Sequence, residues 1–390
     1  MLIVFVTSKI ITIDTILPIL FEASQRNNQK IIVVVSRELG MHTIEKNVVI
    51  NDAVNKIGFK FLFGGRYRVR WYKRIVGSIQ LSLLFFAGIF GAKFIHFDTL
   101  PVSPIRVLSM FFSSRVFYSE RDSIAHSFYL QSSNRKNKFG LFYTQGNYPV
   151  PLGGNIISYN KDRLYYYYGH KIHEKRNVYF LGPTRTRNLW RKYLYSKSNY
   201  YFNKFHKGVD LSNGLIFVIL TYYGVDNFNE EDTVSQKKLR NNFENTVKVL
   251  SVIKGDTPVF LKPHHGTDLE YVNSVLSEYD GFHITYLHPS MLLQKARFVI
   301  CNWYSTILAD AYNLGVPTIE YTYYPNSSVI KKDSINQSMG SNYVDWFVYD
   351  DVNNFKEVVN NLINKDFNHK QQTTNNEDQD NTLLIDLCQS

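Results

Sequence analysis

Cysteine is almost absent from this chain: only Cys301 and Cys388 occur among its 390 residues. Two isolated thiols exclude a disulfide framework and a metal site built on clustered cysteines. The sequence therefore predicts a protein of a reducing compartment, the cytoplasm. The apolar N-terminal segment MLIVFVTSKIITID lacks a basic leader region and a cleavage site of small residues. We interpret it as a buried first strand and not as a signal peptide.

Long apolar runs are also scarce. The one strongly apolar stretch without a charge covers residues 75–92, IVGSIQLSLLFFAGIFGA, and has two glycines near its end. A membrane-spanning helix needs about 20 apolar residues, so this run is slightly short. Tyr67, Trp71 and Tyr72 lie among five arginines and lysines just before it. A buried core helix, a helix on a membrane surface and a spanning helix all remain open.

Acidic residues are outnumbered, 33 Asp and Glu against 44 Lys and Arg, which leaves a formal net charge of +11. Much of the excess falls in residues 161–207, where twelve Lys or Arg oppose only Asp162 and Glu174 and tyrosine is frequent. Nucleic acid, an anionic membrane surface or an acidic acceptor could each bind such a patch. The candidates for acceptor or membrane contact are Arg185, Arg187, Arg191 and Lys192.

What the chain does have is an alternation of apolar β-branched runs with helical patterns. Residues 2–7 and 30–36 predict strands on either side of a helix at 15–25, with Pro18 placed in its first turn. The alternation resumes after residue 213 and predicts five more strands. The predicted organisation is a Rossmann-like, acceptor-binding domain at 1–155, a basic Tyr-rich connector at 156–210, a Rossmann-like nucleotide-sugar domain at 211–365, and a polar flexible tail at 366–390.

Polar residues follow the predicted strands of the second half. In an open parallel sheet ligands bind at the carboxyl ends of the strands, so these residues are candidates for ligand binding. They are Thr221, Gly224, Lys262, His264, His288, Pro289, Ser305 and Thr306. Ser305 could bind a phosphate together with the helix N-terminus, or it could serve only as the N-cap of that helix. A metal site on the histidines is disfavoured, because no carboxylate or cysteine recurs at ligand spacing.

Three of these segments carry a family resemblance. KPHHG, HPS and ARFVICNWYSTILADAYNLGVPTIEY resemble the C-terminal half of GT-B glycosyltransferases that build bacterial surface polysaccharides such as capsule and lipopolysaccharide. They are most similar to the transferases that use CMP-activated Kdo or sialic-acid-like sugars. The segment SKIITIDTILPILFEASQRNNQKIIVVV resembles the first βαβ unit of such enzymes.

The resemblance implies an α/β protein with two Rossmann-like domains facing across a cleft. It implies a nucleotide-sugar donor and a glycan or glycolipid acceptor. We expect no cofactor and no nucleic-acid partner, and the basic connector favours peripheral contact with the anionic inner membrane. Lys262 and His264 match the first element, His288 and Pro289 the second, and Ser305 and Thr306 the third. Two of these elements depart from the family pattern. The first reads Lys-Pro-His-His where the family's element ends in His-Pro, and the third reads Tyr304-Ser305-Thr306 where two serines are common.

Glycosyl transfer with inversion needs a base for the acceptor hydroxyl, and we expect it from the first domain. The candidates are Asp14 in the loop after the first strand, Asp98 at the end of KFIHFD, and Glu120 after RVFYS. Asp14 could instead cap the first helix, and Glu120 could pair with an arginine. Lysine, histidine and a helix dipole can stabilise a departing phosphate, so we predict a metal-independent enzyme.

Three other functions remain open. A CDP-glycerol or CDP-ribitol phosphotransferase would share the second domain, and a hydrolysing UDP-sugar 2-epimerase would share both domains. A nucleic-acid-binding protein would use the interleaved tyrosines and arginines of residues 161–207.

Overall fold

The chain folds into two compact units, which we call the first and the second domain. The computed structural model describes residues 1–7, 10–27, 29–66, 69–97, 104–120, 150–159, 161–221, 223, 230–264, 266–323, 338, 343–365 and 382–388. The first domain holds the described residues up to 190 together with 382–388, and the second holds those from 191 to 365. Each domain is built on one parallel sheet.

The first sheet has seven described strands in the order β3-β2-β1-β4-β5-β6-β7, and every neighbouring pair is parallel. The strands are β1 Leu2–Val6, β2 Ile31–Val35, β3 Gly58–Leu62, β4 Lys93–His96, β5 Val116–Ser119, β6 Asn155–Ser158 and β7 Asn177–Phe180. The helices that accompany them are α1 Ile10–Asn27, α2 Glu38–Lys46, α3 Val48–Ile57, α4 Arg70–Ile89, α5 Ile105–Phe111, α6 Lys161–Tyr168 and α7 Ile172–Lys175. Helix α8, Asn188–Phe205, begins in the first domain, and its residues from 191 onward belong to the second.

The central strands read as unbroken apolar runs because both of their faces are covered. All five residues of β1 and four of the five in β2 are buried. Helix α1 starts earlier than predicted, so Pro18 lies inside it and not in its first turn. A proline inside a helix removes one backbone hydrogen bond. Burial of Leu17 and Leu20 offsets this cost.

The structure corrects the prediction that residues 156–210 form a connector between the domains. This segment contains β6 and β7, which extend the first sheet, together with three helices. The strand segments NIIS and NVYF are four residues long, and polar residues at their ends hide them from a reading based on apolar runs. The first domain therefore continues well past residue 155.

The predicted flexible tail is also corrected in part. Thr382–Cys388 forms helix α14 on the first domain, with Leu383, Leu384 and Leu387 buried. Gln29 donates a hydrogen bond to the carbonyl of Leu387 at 3.1 Å, directly after α1. Residues 366–381 lie outside the described residues.

The second sheet has six described strands, all parallel, in the order β10-β9-β8-β11-β12-β13. The strands are β8 Leu215–Ile219, β9 Val259–Lys262, β10 Phe282–Ile284, β11 Ala296–Cys301, β12 Thr318–Thr322 and β13 Trp346–Tyr349. The helices are α9 Glu230–Ile253, α10 Leu269–Leu276, α11 Pro289–Leu293, α12 Thr306–Asn313 and α13 Val352–Ile363. The five strands predicted here are confirmed, whereas β13 was not predicted.

Both sheets share the strand order of a Rossmann-like domain. The first strand lies between the second and the fourth, as β1 does between β2 and β4 and β8 does between β9 and β11. At such a switch point the connections leave in opposite directions and open a crevice at the carboxyl ends of the strands. The candidate ligand-binding residues of each domain are therefore expected at that edge.

The apolar run at 75–92 falls largely in helix α4. Gly77, Leu84 and Gly88 are buried. A Cβ on Gly88 would lie 2.5 Å from Cε2 of Phe112, so a larger residue there would force the Phe112 ring to move. None of the described helices is both long enough and apolar enough to cross a bilayer.

Candidate functional site

The second domain brings the predicted strand-end residues to one edge of its sheet. Thr221 follows β8, Lys262 ends β9, His288 comes after β10, and Ser305 comes after β11. Because β10, β9, β8 and β11 are consecutive neighbours in the sheet, their carboxyl ends form one continuous edge. Gly224 and His265 lie outside the described residues.

Thr267 fixes the loop that follows β9. Its hydroxyl donates to the carbonyl of Thr221 at 2.9 Å and accepts from the backbone N–H of His264 at 2.8 Å. The loop after β9 is thereby tied to the end of β8. The sequence analysis missed Thr267, since a threonine inside a loop carries no spacing signal.

Lys262 and His264 remain accessible at this edge. The Lys262 ammonium lies 5.6 Å from the ring centroid of Tyr286, which is exposed. The His264 side chain is exposed, and its Nδ1 accepts a weak hydrogen bond of 3.4 Å from the N–H of Gly266. Both side chains can present positive charge or N–H donors to an anion at the surface.

His288 occupies a different environment, because only 2% of it is exposed. Its Nδ1 accepts a hydrogen bond of 3.2 Å from the N–H of Ser290, so the ring caps α11, and Pro289 occupies the first position of that helix. With Nδ1 as the acceptor, the neutral ring carries its proton on Nε2. Among the described residues, the buried hydroxyl of Ser290 has no hydrogen-bond partner.

Ser305 is the N-cap of α12. Its Oγ accepts from the N–H of Ile307 at 3.3 Å, and Thr306 is the first helical residue. The capping role considered for Ser305 is thus present. Capping still leaves other N–H groups of the first turn directed out of the helix.

A buried polar network lies behind this edge and is centred on Asn302. Tyr223 donates to Oδ1 of Asn302 at 3.1 Å, and Nδ2 of Asn302 donates to the hydroxyl of Thr246 and the carbonyl of Tyr321, both at 3.1 Å. Thr322 donates to the Asn302 carbonyl at 2.8 Å. The network joins the segment after β8 to α9, β11 and β12, and so holds the edge in shape.

In the first domain the notable residue is Glu120, which directly follows β5 and is 3% exposed. Its Oε2 accepts a hydrogen bond from the hydroxyl of Ser158 at the end of the neighbouring strand β6. Burial raises the pKa of this carboxyl to about 7, although the charge of Arg163 and the Ser158 hydrogen bond both act to lower it. The side chain can therefore take up and release a proton near neutral pH.

Two tyrosines accompany Glu120. The hydroxyls of Tyr168 and Tyr118 are hydrogen bonded, and burial raises the pKa of Tyr168 far above its ordinary value, with the charges of Tyr118 and Glu120 adding to the shift. Tyr168 therefore stays protonated at any physiological pH. The sequence analysis missed Ser158 and Tyr168, because β6 and α6 had been assigned to a connector.

His96 ends β4 and is fully buried. Its Nε2 lies 3.0 Å from the carbonyl oxygen of Leu152, and its ring centroid is 5.6 Å from that of Tyr118. The structure thus places His96 one strand away from the segment that carries Glu120. Asp98 lies outside the described residues.

Asp14 is not in the loop after the first strand, as predicted, but inside helix α1. Its Oδ2 lies 3.0 Å from Nη1 of Arg185, and both side chains are largely buried. A role for Asp14 as a proton acceptor would require this ion pair to open. Its placement therefore suits a structural contact better than a reacting group.

The arginines proposed for acceptor or membrane contact need a correction. Arg185 is 4% exposed, and Arg187 is 3% exposed and pairs with Glu22 at 2.5 Å. Long-range ion pairs inside the first domain hold both guanidinium groups, so neither belongs to an exposed basic surface. Arg191 is half-buried, which lowers its pKa, and Lys192 is exposed.

Metal ligands are not grouped in the described part of the chain, where no three His, Cys, Asp or Glu side chains are placed to hold an ion. Cys301 ends β11 and is buried, and this burial raises the pKa of its thiol above the range in which it would ionise. It is therefore not a nucleophile.

Comparison with known proteins gives structural matches only. No protein-family model matches the chain. No curated protein matches it either. UDP-GlcNAc 2-epimerase from Methanocaldococcus jannaschii superimposes over 98% of this chain and 98% of its own, with a TM-score of 0.56 and 14% identity. UGT71G1 from Medicago truncatula, complexed with UDP-glucose, covers 100% of this chain and 98% of its own, with a TM-score of 0.50 and 10% identity.

At such low identity the matches establish the fold and nothing further. The expected fold class is confirmed: parallel sheets of seven and six strands with flanking helices form the two Rossmann-like domains of a GT-B fold. Glycosyltransferases and sugar-nucleotide epimerases share this fold. The choice between such activities has to come from residues of the chain itself.

Proposed function

We propose that this protein is a glycosyltransferase that moves a sugar from a nucleotide donor to the hydroxyl of a glycan or glycolipid acceptor, with Glu120 as the general base. The observation that carries the proposal is the buried Glu120 carboxyl, whose pKa is about 7. An ordinary carboxylate is too weak a base at neutral pH. One with a pKa near the working pH accepts a proton well and is still available in its ionised form.

The neighbours of Glu120 fit this task. Ser158 holds one carboxylate oxygen in place, and Tyr168 supplies a hydroxyl that stays protonated. Arg163 contributes a positive charge that stabilises the ionised form once the proton has left. Asp98 and Asp14 remain the other candidates from the sequence, of which Asp14 is engaged by Arg185.

The second domain supplies groups for the departing nucleotide phosphate. Lys262 carries a charge beside β8, and the first turn of α12 presents N–H groups next to Ser305 and Thr306. A phosphate is stabilised by such donors without a metal ion, so activity is expected to persist in a chelator. The remaining donor-site residues of the proposal are Thr221, Gly224, His264, His288 and Pro289.

The proposal also specifies which nucleobase the donor nucleotide carries. The sequence resemblance points to a CMP-activated sugar, whereas the M. truncatula neighbour was solved with UDP-glucose. Because a ligand that binds only the folded state raises the melting temperature, a panel of CMP, CDP, UDP and GDP identifies the nucleotide directly. Lys262→Met should reduce the shift, and Lys248→Met, an exposed residue of α9, is the matched control.

A UDP-sugar 2-epimerase is the second candidate, favoured by the full-length match to the M. jannaschii enzyme. A carboxyl with a pKa of about 7 also suits removal of a proton from a sugar carbon. The two functions differ in what they need: an epimerase converts its sugar nucleotide alone, whereas a transferase needs an acceptor. A polyol phosphotransferase is recognised by the mass of its product.

The decisive experiment follows the donor and its products by mass spectrometry, with and without a lipid-linked glycan acceptor. Glu120→Gln should lower kcat by about 100-fold or more while nucleotide binding is unchanged. Glu38→Gln, an exposed residue of the same domain, is the control. In the wild type kcat/KM should rise with pH through about 7. Full activity of Glu120→Gln, or a rate that falls over this pH range, would refute Glu120 as the base.

A further inference from the structure

Helix α4 turns an apolar face towards solvent. Trp71, Ile75, Ile79, Leu83 and Phe86 are each about half or more exposed, and Phe90 just after the helix is 86% exposed. At about 100° per residue, these side chains fall within an arc of about 120°. We call this set the α4 apolar face. A helix on the surface of a domain ordinarily shows the opposite arrangement, with its polar side outward.

The other side of α4 is anchored. Gly77, Leu84 and Gly88 are buried, and Gln80 accepts a hydrogen bond of 2.7 Å from the N–H of Gly64. Arg115 donates to the Gly88 carbonyl near the end of the helix. The helix therefore cannot turn about its axis to hide the α4 apolar face, whose exposure is fixed by the packing beneath it.

A second helix enlarges the apolar area. Met110 is 74% exposed and Phe111 is 63% exposed at the end of α5. The Phe111 ring lies 5.2 Å, centroid to centroid, from Phe85 of α4 in an edge-on contact. The exposed surface is therefore one patch shared by two helices. Contiguous apolar patches of this kind are typical of sites that bind proteins or membranes.

The charged residues of α4 and α5 are all basic. Arg70, Lys73 and Arg74 are all exposed in the first turns of α4, where the stacked rings of Trp71 and Tyr72 also lie. Neither α4 nor α5 contains an acidic residue. The surface thus combines apolar side chains, aromatic rings suited to the bilayer interface, and cations at one end.

We propose that the α4 apolar face docks onto the surface of an anionic lipid bilayer, with α4 lying in the plane of the membrane. The cations would meet lipid phosphates, and the apolar side chains would enter the region between head groups and acyl chains. A second copy of the chain fits less well, because pairing two such faces brings cations together with no acidic residue on either helix to match them. This inference does not depend on the proposed function. It assigns membrane contact to α4, whereas the sequence had suggested Arg185 and Arg187, which are buried.

Vesicle flotation tests the proposal on the full chain. With vesicles of phosphatidylcholine and 30% phosphatidylglycerol the protein should float, and with phosphatidylcholine alone it should bind far less. Arg70→Gln/Lys73→Gln/Arg74→Gln should weaken binding by roughly 100-fold, at about fivefold for each cation. Ile79→Gln/Leu83→Gln/Phe86→Gln should abolish it. Leu39→Gln/Val252→Gln, which removes two exposed apolar side chains elsewhere, is the matched control and should bind as the wild type does.

Each variant changes only exposed side chains, so its melting temperature should stay near that of the wild type, which confirms folding before flotation. Absence of the wild type from anionic vesicles would overturn the proposal, as would equal binding by the apolar triple variant. Concentration-dependent dimerisation in solution that the apolar triple variant abolishes would assign the face to a second copy instead.

Discussion

Replacing Glu120 by glutamine should make the first domain more stable at alkaline pH and leave it nearly unchanged in acid. The pKa of this carboxyl rises from its ordinary value of 4.5 to about 7 through burial. Between these values the unfolded chain has lost the proton and the folded chain still holds it. Stability therefore falls as the pH rises from about 4.5 to about 7, and above that the loss is complete.

The size of the effect follows from the same shift. Each pKa unit corresponds to about 1.4 kcal/mol, so the rise from 4.5 to about 7 amounts to about 3 kcal/mol. Glutamine keeps the shape and can still accept the hydrogen bond of Ser158, but it carries no charge to bury. In a domain of this size each kcal/mol changes the melting temperature by about 2–4 °C.

Differential scanning calorimetry at pH 5, 6, 7 and 8 measures the effect. The melting temperature of Glu120→Gln minus that of the wild type should grow with pH and level off above about 7. Glu38→Gln serves as the control for removing one negative charge from an exposed position of the same domain, and its difference should not change with pH in this way. A constant or shrinking difference for Glu120→Gln would refute the reasoning, because a structural disturbance alone has no reason to track this titration.

Two further predictions concern other buried groups. Arg187→Met should destabilise the first domain by about 3–5 kcal/mol by leaving Glu22 buried and unpaired, and adding Glu22→Gln should restore most of the loss in urea unfolding. If the double variant is no more stable than the single one, the ion pair is not the cause. Burial, with the charge of His283, lowers the pKa of His206, so the second domain should lose stability as the pH falls below about 6.5. His206→Gln should lessen that acid loss in calorimetry at pH 7 and pH 5, and an unchanged acid loss would contradict the assignment.

The sequence pattern predicted five strands of the second domain because their apolar segments alternate regularly with segments of helical period. The positions of Lys262, His288 and Ser305 after successive strands follow from that pattern alone. β13 escaped prediction because it follows a long polar segment that interrupts the alternation of strands and helices. The GT-B fold was recognised through the same second-domain motifs.

The first domain was predicted less well because its decisive contacts join distant parts of the chain. Arg185 binds Asp14 across 171 residues and Arg187 binds Glu22 across 165, and no local pattern reports such pairs. From the sequence, those arginines simply added to a basic patch. Glu120 was a candidate only by position, and its raised pKa depends on burial that composition does not reveal.

For helix α4, the sequence could not predict which side of the helix is buried. Its apolar residues surround the axis nearly completely. The glycines at 77 and 88 mark the packed side only once Phe63 and Phe112 are seen against them. The three interpretations offered by the sequence could therefore be separated only in three dimensions.

The placement of α14 has a consequence for synthesis on the ribosome. The first domain is built from residues up to 190 and then from 382–388, whereas all described residues of the second domain lie between 191 and 365. The second domain can thus be completed while the first still waits for Leu383, Leu384 and Leu387 to cover α1. Translation would finish the two domains in the reverse of their order along the chain, and a nascent chain stalled before residue 382 would expose an apolar surface of the first domain to chaperones.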